Sequence, residues 1–144
     1  LHDALPISIH VLPISEISFD GLAEDFPNIV TYDGKWTEGS EYYNHTKPIC
    51  PAQLGERIKK KIQITALAAY DALNCRDYAR VDIRLRNDGV PYVIEVNPNP
   101  DISSDSGFAR AAAADGINYD DLLYTIANFA LIRKKKNDSQ AKAG

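Results

Sequence analysis

The chain has 144 residues, 44% of them hydrophobic and 25% charged, with a net charge of −4 and a pI near 5.3. That is one domain's worth of chain with one modest core, and its acidic balance excludes a nucleic-acid or membrane partner held by bulk charge. No run approaches the roughly 20 apolar residues a membrane helix needs.

The chain contains no methionine. Its first seven residues, Leu1-His2-Asp3-Ala4-Leu5-Pro6-Ile7, lack the basic start and long apolar run of a signal peptide. They look like a translated sequencing-library adapter, so residues 1–7 are expected to be non-native, the other reading being a native loop. Residues 8–18 mix Ile, Val and Leu with Pro13 and Ser15 and predict an extended edge segment, because proline cannot donate to a central ladder. Residues 19–27 are acidic and turn-like. The β-branched and aromatic run N-I-V-T-Y-D predicts a strand over 28–33. Residues 34–48 are polar and aromatic without periodicity and read as a long loop, a feature that tends to be functional.

Pro51 suits the first position of a helix. Leu54, Ile58, Ile62, Ala66, Ala69 and Leu73 recur at three- and four-residue spacing, one helical face. Glu56 precedes Lys60 by one turn, and Lys59-Lys60-Lys61 reads as a solvated face. Residues 78–86 alternate, Asn87-Asp88-Gly89 signals a turn, and residues 91–97 alternate again, which makes a β-hairpin. A short helix is expected over 106–114 with Gly116 as its stop. A second runs over 119–134 with Leu122, Leu123, Ile126 and Phe129 inward. Residues 8–133 would form the domain and 134–144 a flexible polar tail. The fold class expected is α+β, an antiparallel β-sheet with helices packed on one face. The long helix and the 119–134 helix would cover Val81, Ile83, Leu85, Ile94 and Val96. Cys50 and Cys75 have no metal-ligand spacing; they read as free thiols or as a disulfide pair.

The hairpin carries the chemistry. Pairing Arg86 with Pro91 sets Asp82 opposite Glu95 and Arg80 opposite Asn97, and directly opposed residues share a face. Val81, Ile83, Leu85, Tyr92, Ile94 and Val96 would then form the other face. Two carboxylates about 5 Å apart repel by roughly 3 kcal/mol at an effective dielectric near 20. Either Arg80 and Arg84 offset this in a salt-bridged surface patch, or a divalent cation does. The ligands on offer are all oxygens, with no His or Cys nearby, which favours Mg²⁺ or Mn²⁺ over zinc.

The string Ala79-Arg80-Val81-Asp82, then Asp88-Gly89, then Glu95-Val96-Asn97-Pro98-Asn99-Pro100 resembles the metal-binding hairpin of ATP-grasp enzymes. The run Ser106-Gly107-Phe108-Ala109-Arg110, followed by Gly116 and Tyr119, resembles the end of the D-alanine–D-alanine ligase branch. The resemblance covers about residues 12–132 and implies the C-terminal half of an ATP-grasp fold. It implies a cytoplasmic carboxylate–amine ligase, in which ATP phosphorylates a carboxylate to an acyl phosphate, an amine attacks, and phosphate leaves. By the same resemblance, Asp82 and Asn97 each bind a Mg²⁺, Glu95 bridges two ions, and Arg80 stabilises the transferred phosphoryl group. Lys35 matches a lysine of a mobile loop that reaches the ATP phosphates, and Ser106 sits where the acceptor amino acid's carboxylate binds. From the residues alone, Lys35 equally reads as a solvated loop lysine and Ser106 as a helix cap.

Asp101 departs from the family pattern, which has glycine there with a backbone that helps form an oxyanion hole. A carboxylate at that point alters the substrate pocket. It leaves open whether the substrate is D-alanine, another amino acid or a small carboxylate. The family's adenine-binding hinge, its phosphate-holding lysines and its N-terminal domain have no match in these residues. The chain is therefore expected to be a fragment, partnered by a missing N-terminal half of the same enzyme and turning over no ATP alone. The rival from a different class is a non-enzymatic α/β interaction module whose hairpin charges are only salt-bridged.

Overall fold

The computed structural model describes residues 9–143, with side chains to residue 135, so the heptapeptide expected to be non-native lies outside the described residues. The elements run β1 (Glu16–Ser18), α1 (Tyr32–Trp36), α2 (Glu41–His45), β2 (Lys47–Ile49), α3 (Glu56–Ala72), β3 (Arg80–Leu85), β4 (Pro91–Asn97), α4 (Gly107–Ala114) and α5 (Tyr119–Ala143). The class is α+β and the strands are antiparallel, but they form two separate two-stranded sheets, β1–β2 and β3–β4.

Capping chemistry decides the first third of the chain. The strand expected over 28–33 is absent. Instead the Thr31 hydroxyl accepts from the Gly34 amide at 3.1 Å and starts α1. An N-cap of this kind satisfies an otherwise orphaned helical donor and overrides the β-branched run before it. Ser40 does the same for α2 through the Tyr43 amide. The expected loop over 34–48 is therefore two single-turn helices and a strand. Of the extended segment before it, only Glu16–Ser18 pairs, with Ile17 opposite Pro48.

Pro51 does not open a helix. It follows Cys50 through a cis peptide, and the Ala52 amide donates to Ile14 O at 2.7 Å, which ties this loop to the N-terminal segment. Helix α3 begins at Glu56, a carboxylate in the first turn where the helix dipole favours it. Glu56 pairs with Lys59 at 2.9 Å rather than with Lys60. Lys61 leaves the solvated face and donates to Gly89 O at 3.3 Å, fastening α3 to the hairpin turn. Helix α3 packs against both hairpin strands.

Helix α4 ends as expected at Gly116, whose positive φ of 82° lets the Ile117 amide reach back to Ala112 O at 2.9 Å. Helix α5 starts on Asn118, which accepts from the Asp121 amide, and runs on to Ala143, beyond the end expected at 134. It packs chiefly on α4. Ala109, Ala112 and Leu122 form the buried centre there, with Leu12, Phe108, Ile117 and Ile126 around it. The Phe108 ring meets Tyr78 edge-on at 5.7 Å, joining this centre to the segment that leads into β3. Cys50 and Cys75 are free thiols.

Candidate functional site

The outer half of the hairpin has the expected register, with Arg80 opposite Asn97, Val81 opposite Val96 and Asp82 opposite Glu95. A bulge then falls between Asp82 and Ile83, and the inner half pairs Ile83 with Val93, Arg84 with Tyr92 and Leu85 with Pro91. Ile94 is the extra residue. It is 68% exposed, so neither helix covers it, contrary to the sequence reading. Tyr92 likewise moves to the face of Arg84, while Val93 takes the place beside Ile83. The cause lies in Tyr92-Val93-Ile94, where apolar residues occupy both parities and alternation alone cannot set the register.

On the polar face, Arg80 grips Asp82 in a two-pronged hydrogen bond. Its Nε donates to Oδ1 at 2.7 Å and its Nη2 to Oδ2 at 2.9 Å. That bond holds the guanidinium above its ordinary pKa range against partial burial, and the charges of Asp82, Glu95 and Asp101 act in the same direction. Asp82, Glu95 and Asp101 are thus the carboxylates whose charges reach Arg80. Asn97 sits across the ladder from Arg80, and its Oδ1 accepts from the Asn99 amide at 2.9 Å, an Asx turn that orients the side chain. Asn99 in turn accepts from the Tyr78 hydroxyl at 3.0 Å.

Asp101 is set by Ser103, whose hydroxyl and amide donate to Oδ1 at 2.5 and 2.9 Å. Those two bonds, and then the charge of Arg80, hold the Asp101 carboxyl below its ordinary pKa. Lys35 is exposed on the last turn of α1 and lines the same open groove, about 1770 Å³, as Arg80, Asp82, Arg84 and Glu95. Ser106 stands apart: it is 7% exposed, and its hydroxyl accepts from the Ala109 amide at 3.1 Å as the N-cap of α4.

Arg84, read from the sequence as a charge offsetting the carboxylate pair, has a different supporting role, and Asn99 and Ser103 were given none. Arg84 lines the groove and donates to Asn28 O at 2.8 Å, which ties the hairpin to the segment before α1. Asn99 and Ser103 position Asn97 and Asp101. Their signal was legible as N-x-N and D-x-S, each placing an amide two residues beyond a carboxylate or amide oxygen.

The donor set fits a hard divalent cation. Asp82 and Glu95 are directly opposed, and the Asn97 oxygen keeps a second lone pair beside its Asx bond. Among the described residues no group of three or more His, Cys, Asp or Glu gathers as a metal site, at the hairpin or elsewhere, so the donor set here is two carboxylates and one amide oxygen.

Residues 8–128 match the family described as D-ala D-ala ligase C-terminus. A D-alanine–D-alanine ligase of Cupriavidus pinatubonensis is 33% identical over 119 residues, covering 81% of this chain and 36% of that protein. One from Methylacidiphilum infernorum is 38% identical over 104 residues, covering 72% of this chain and 33% of that protein. The crystal structure of the Bacillus anthracis D-alanine–D-alanine ligase complexed with ATP superposes with a TM-score of 0.65 at 29% identity, over 88% of this chain and 36% of that one. The chain thus spans about a third of the length of the curated relatives it matches. It belongs to the family of D-alanine–D-alanine ligase C-terminal domains.

Proposed function

We propose that this chain supplies the cation- and phosphoryl-holding part of a cytoplasmic, ATP-dependent carboxylate–amine ligase that works through an acyl phosphate. The observation that carries the reading is the directly opposed Asp82–Glu95 pair, with the Arg80–Asn97 pair on the same face two pairs further along. Family membership and the likeness to a ligase complexed with ATP support it.

Asp82, Glu95 and Asn97 would hold Mg²⁺ or Mn²⁺, two ions if Glu95 bridges. Bound there, the cation neutralises and orients the phosphates of ATP. Arg80 would offer its guanidinium to the oxygens of the phosphoryl group in flight. Lys35 approaches the same groove from α1 and adds a second positive charge. Ser106 fixes the start of α4, whose first-turn amides suit the carboxylate of an acceptor amino acid. Asp101 sets the substrate pocket apart from one closed by glycine, so the substrates are placed no more narrowly than a small amino acid or carboxylate. Residues 1–7 remain in this reading a non-native leader to the 8–133 domain. The upstream ligase segment is the partner that completes the site.

Mn²⁺ binding followed by proton relaxation enhancement tests the reading. The wild-type chain should bind saturably, and Glu95→Gln and Asp82→Asn should each weaken binding by tenfold or more, as loss of a charged ligand does at about 1.4 kcal/mol or above. Equal, nonspecific binding in all three proteins would leave the hairpin as a salt-bridged surface and favour the interaction-module alternative.

A further inference from the structure

Arg80 occupies the side of Asp82 from which a cation would engage both carboxylate oxygens at once, with Nε on Oδ1 and Nη2 on Oδ2, and leaves only the outer lone pairs free. One carboxylate thus has two claimants. Arg80 and Asp82 lie two residues apart on β3, so both rise from the same face, and the guanidinium can swing away by side-chain rotation alone. The side chains are 44% and 36% exposed, so water can take over their hydrogen bonds and the grip is a weak one. Around the same guanidinium stand Glu95 across the ladder and Asp101 beyond Asn97, which keep Arg80 in place near the site once it lets go of Asp82.

We propose that Arg80 and the divalent cation compete for Asp82, so that loading the cation releases Arg80 to bind the phosphoryl group. The inference rests on the cation site proposed above and adds an order of events to it. The anion-binding arginine is tied down until the cation is present, and an empty site does not offer a free guanidinium to stray phosphates. Because coupling is reciprocal, whatever draws Arg80 off Asp82 tightens cation binding by the same factor.

The test reads the side chain directly. The Nε–H resonance of Arg80, assigned by its loss in Arg80→Lys, is followed in nitrogen-15 spectra while the 144-residue chain is titrated with Mg²⁺. The Arg80 Nε–H should shift in step with the backbone amides of Glu95 and Asn97 as it leaves Asp82. If those amides titrate and the Arg80 resonance stays put, the cation binds beside an intact pair, and the competition is overturned while the cation site stands. If no hairpin amide titrates, the cation site itself fails and the competition with it.

A second readout separates grip from charge. Lysine keeps the positive charge but not the two-pronged fork, so Arg80→Lys should bind Mn²⁺ about two- to fivefold more tightly than wild type, the worth of an exposed ion pair. Equal affinity in the two proteins would mean that charge alone acts on the cation, and would overturn the proposal.

Discussion

Ser103 gives Asp101 two hydrogen bonds on one oxygen, and both favour the ionised form. Because the folded-state pKa is lowered, the contribution to stability is in place above the ordinary carboxylate pKa and is lost as pH falls through the depressed folded value. Ser103→Ala should therefore move the Asp101 titration upward while the backbone amide and Arg80 retain part of the shift. Carbon-13 carboxyl shifts against pH read this directly, and an unmoved midpoint would assign the whole shift to the remaining partners. Ser106 is a different case. Its hydroxyl is buried and engaged with the Ala109 amide, so Ser106→Ala should cost about 1 kcal/mol of stability, the usual worth of an N-cap. Urea denaturation measures it, and a neutral result would mean that the hydroxyl serves a ligand and not the helix.

At the scale of the element, the hairpin depends on Gly89. Its φ of 77° is left-handed, and a Cβ there would lie 2.8 Å from the Cδ1 of Ile58 on α3. The end of an isoleucine can shift, so the backbone dominates the cost, and Gly89→Ala should destabilise by about 1–2 kcal/mol. A thermal melt showing no loss would mean that the turn relaxes to another type. The turn and the outer ladder were legible because Asn87-Asp88-Gly89 is a strong turn signal and R-x-D faces E-x-N in strict alternation. The inner ladder was not, since Tyr92-Val93-Ile94 satisfies either register and the bulge is set by packing. The strand expected over 28–33 failed for a local reason: Thr31 is both β-branched and a good cap, and the Gly34 amide within its reach decided for the cap. Of the candidate site, the residues on one ladder could be paired from spacing. That Lys35 and these residues line one groove could not, because it depends on how α1 folds back in space.

Across the whole molecule the buried volume is small. Among the described residues no large side chain is fully buried, and Leu122 at 6% exposure anchors the α4–α5 centre beside two buried alanines, Ala109 and Ala112. Leu122→Ala should cost about 2–5 kcal/mol, a large share of the roughly 5–15 kcal/mol that a domain possesses. A chemical melt of the variant should show a much earlier midpoint, and a shift below 1 kcal/mol would mean that Ile126 and Phe108 collapse into the space. Polar ties add to the Phe108–Tyr78 contact in holding the parts together: His10 to Asp115 at the end of α4, Arg133 of α5 to Asp77, and Lys61 to the hairpin turn. The candidate ligands, by contrast, all lie within residues 80–97 on two strands joined by one turn. A contact set that local needs no distant part of the chain to arrive first. Hairpins close in about 1–10 μs, so the constellation belongs to the early-forming part of the chain, and a cation captured there would act as a folding template before the groove around it exists.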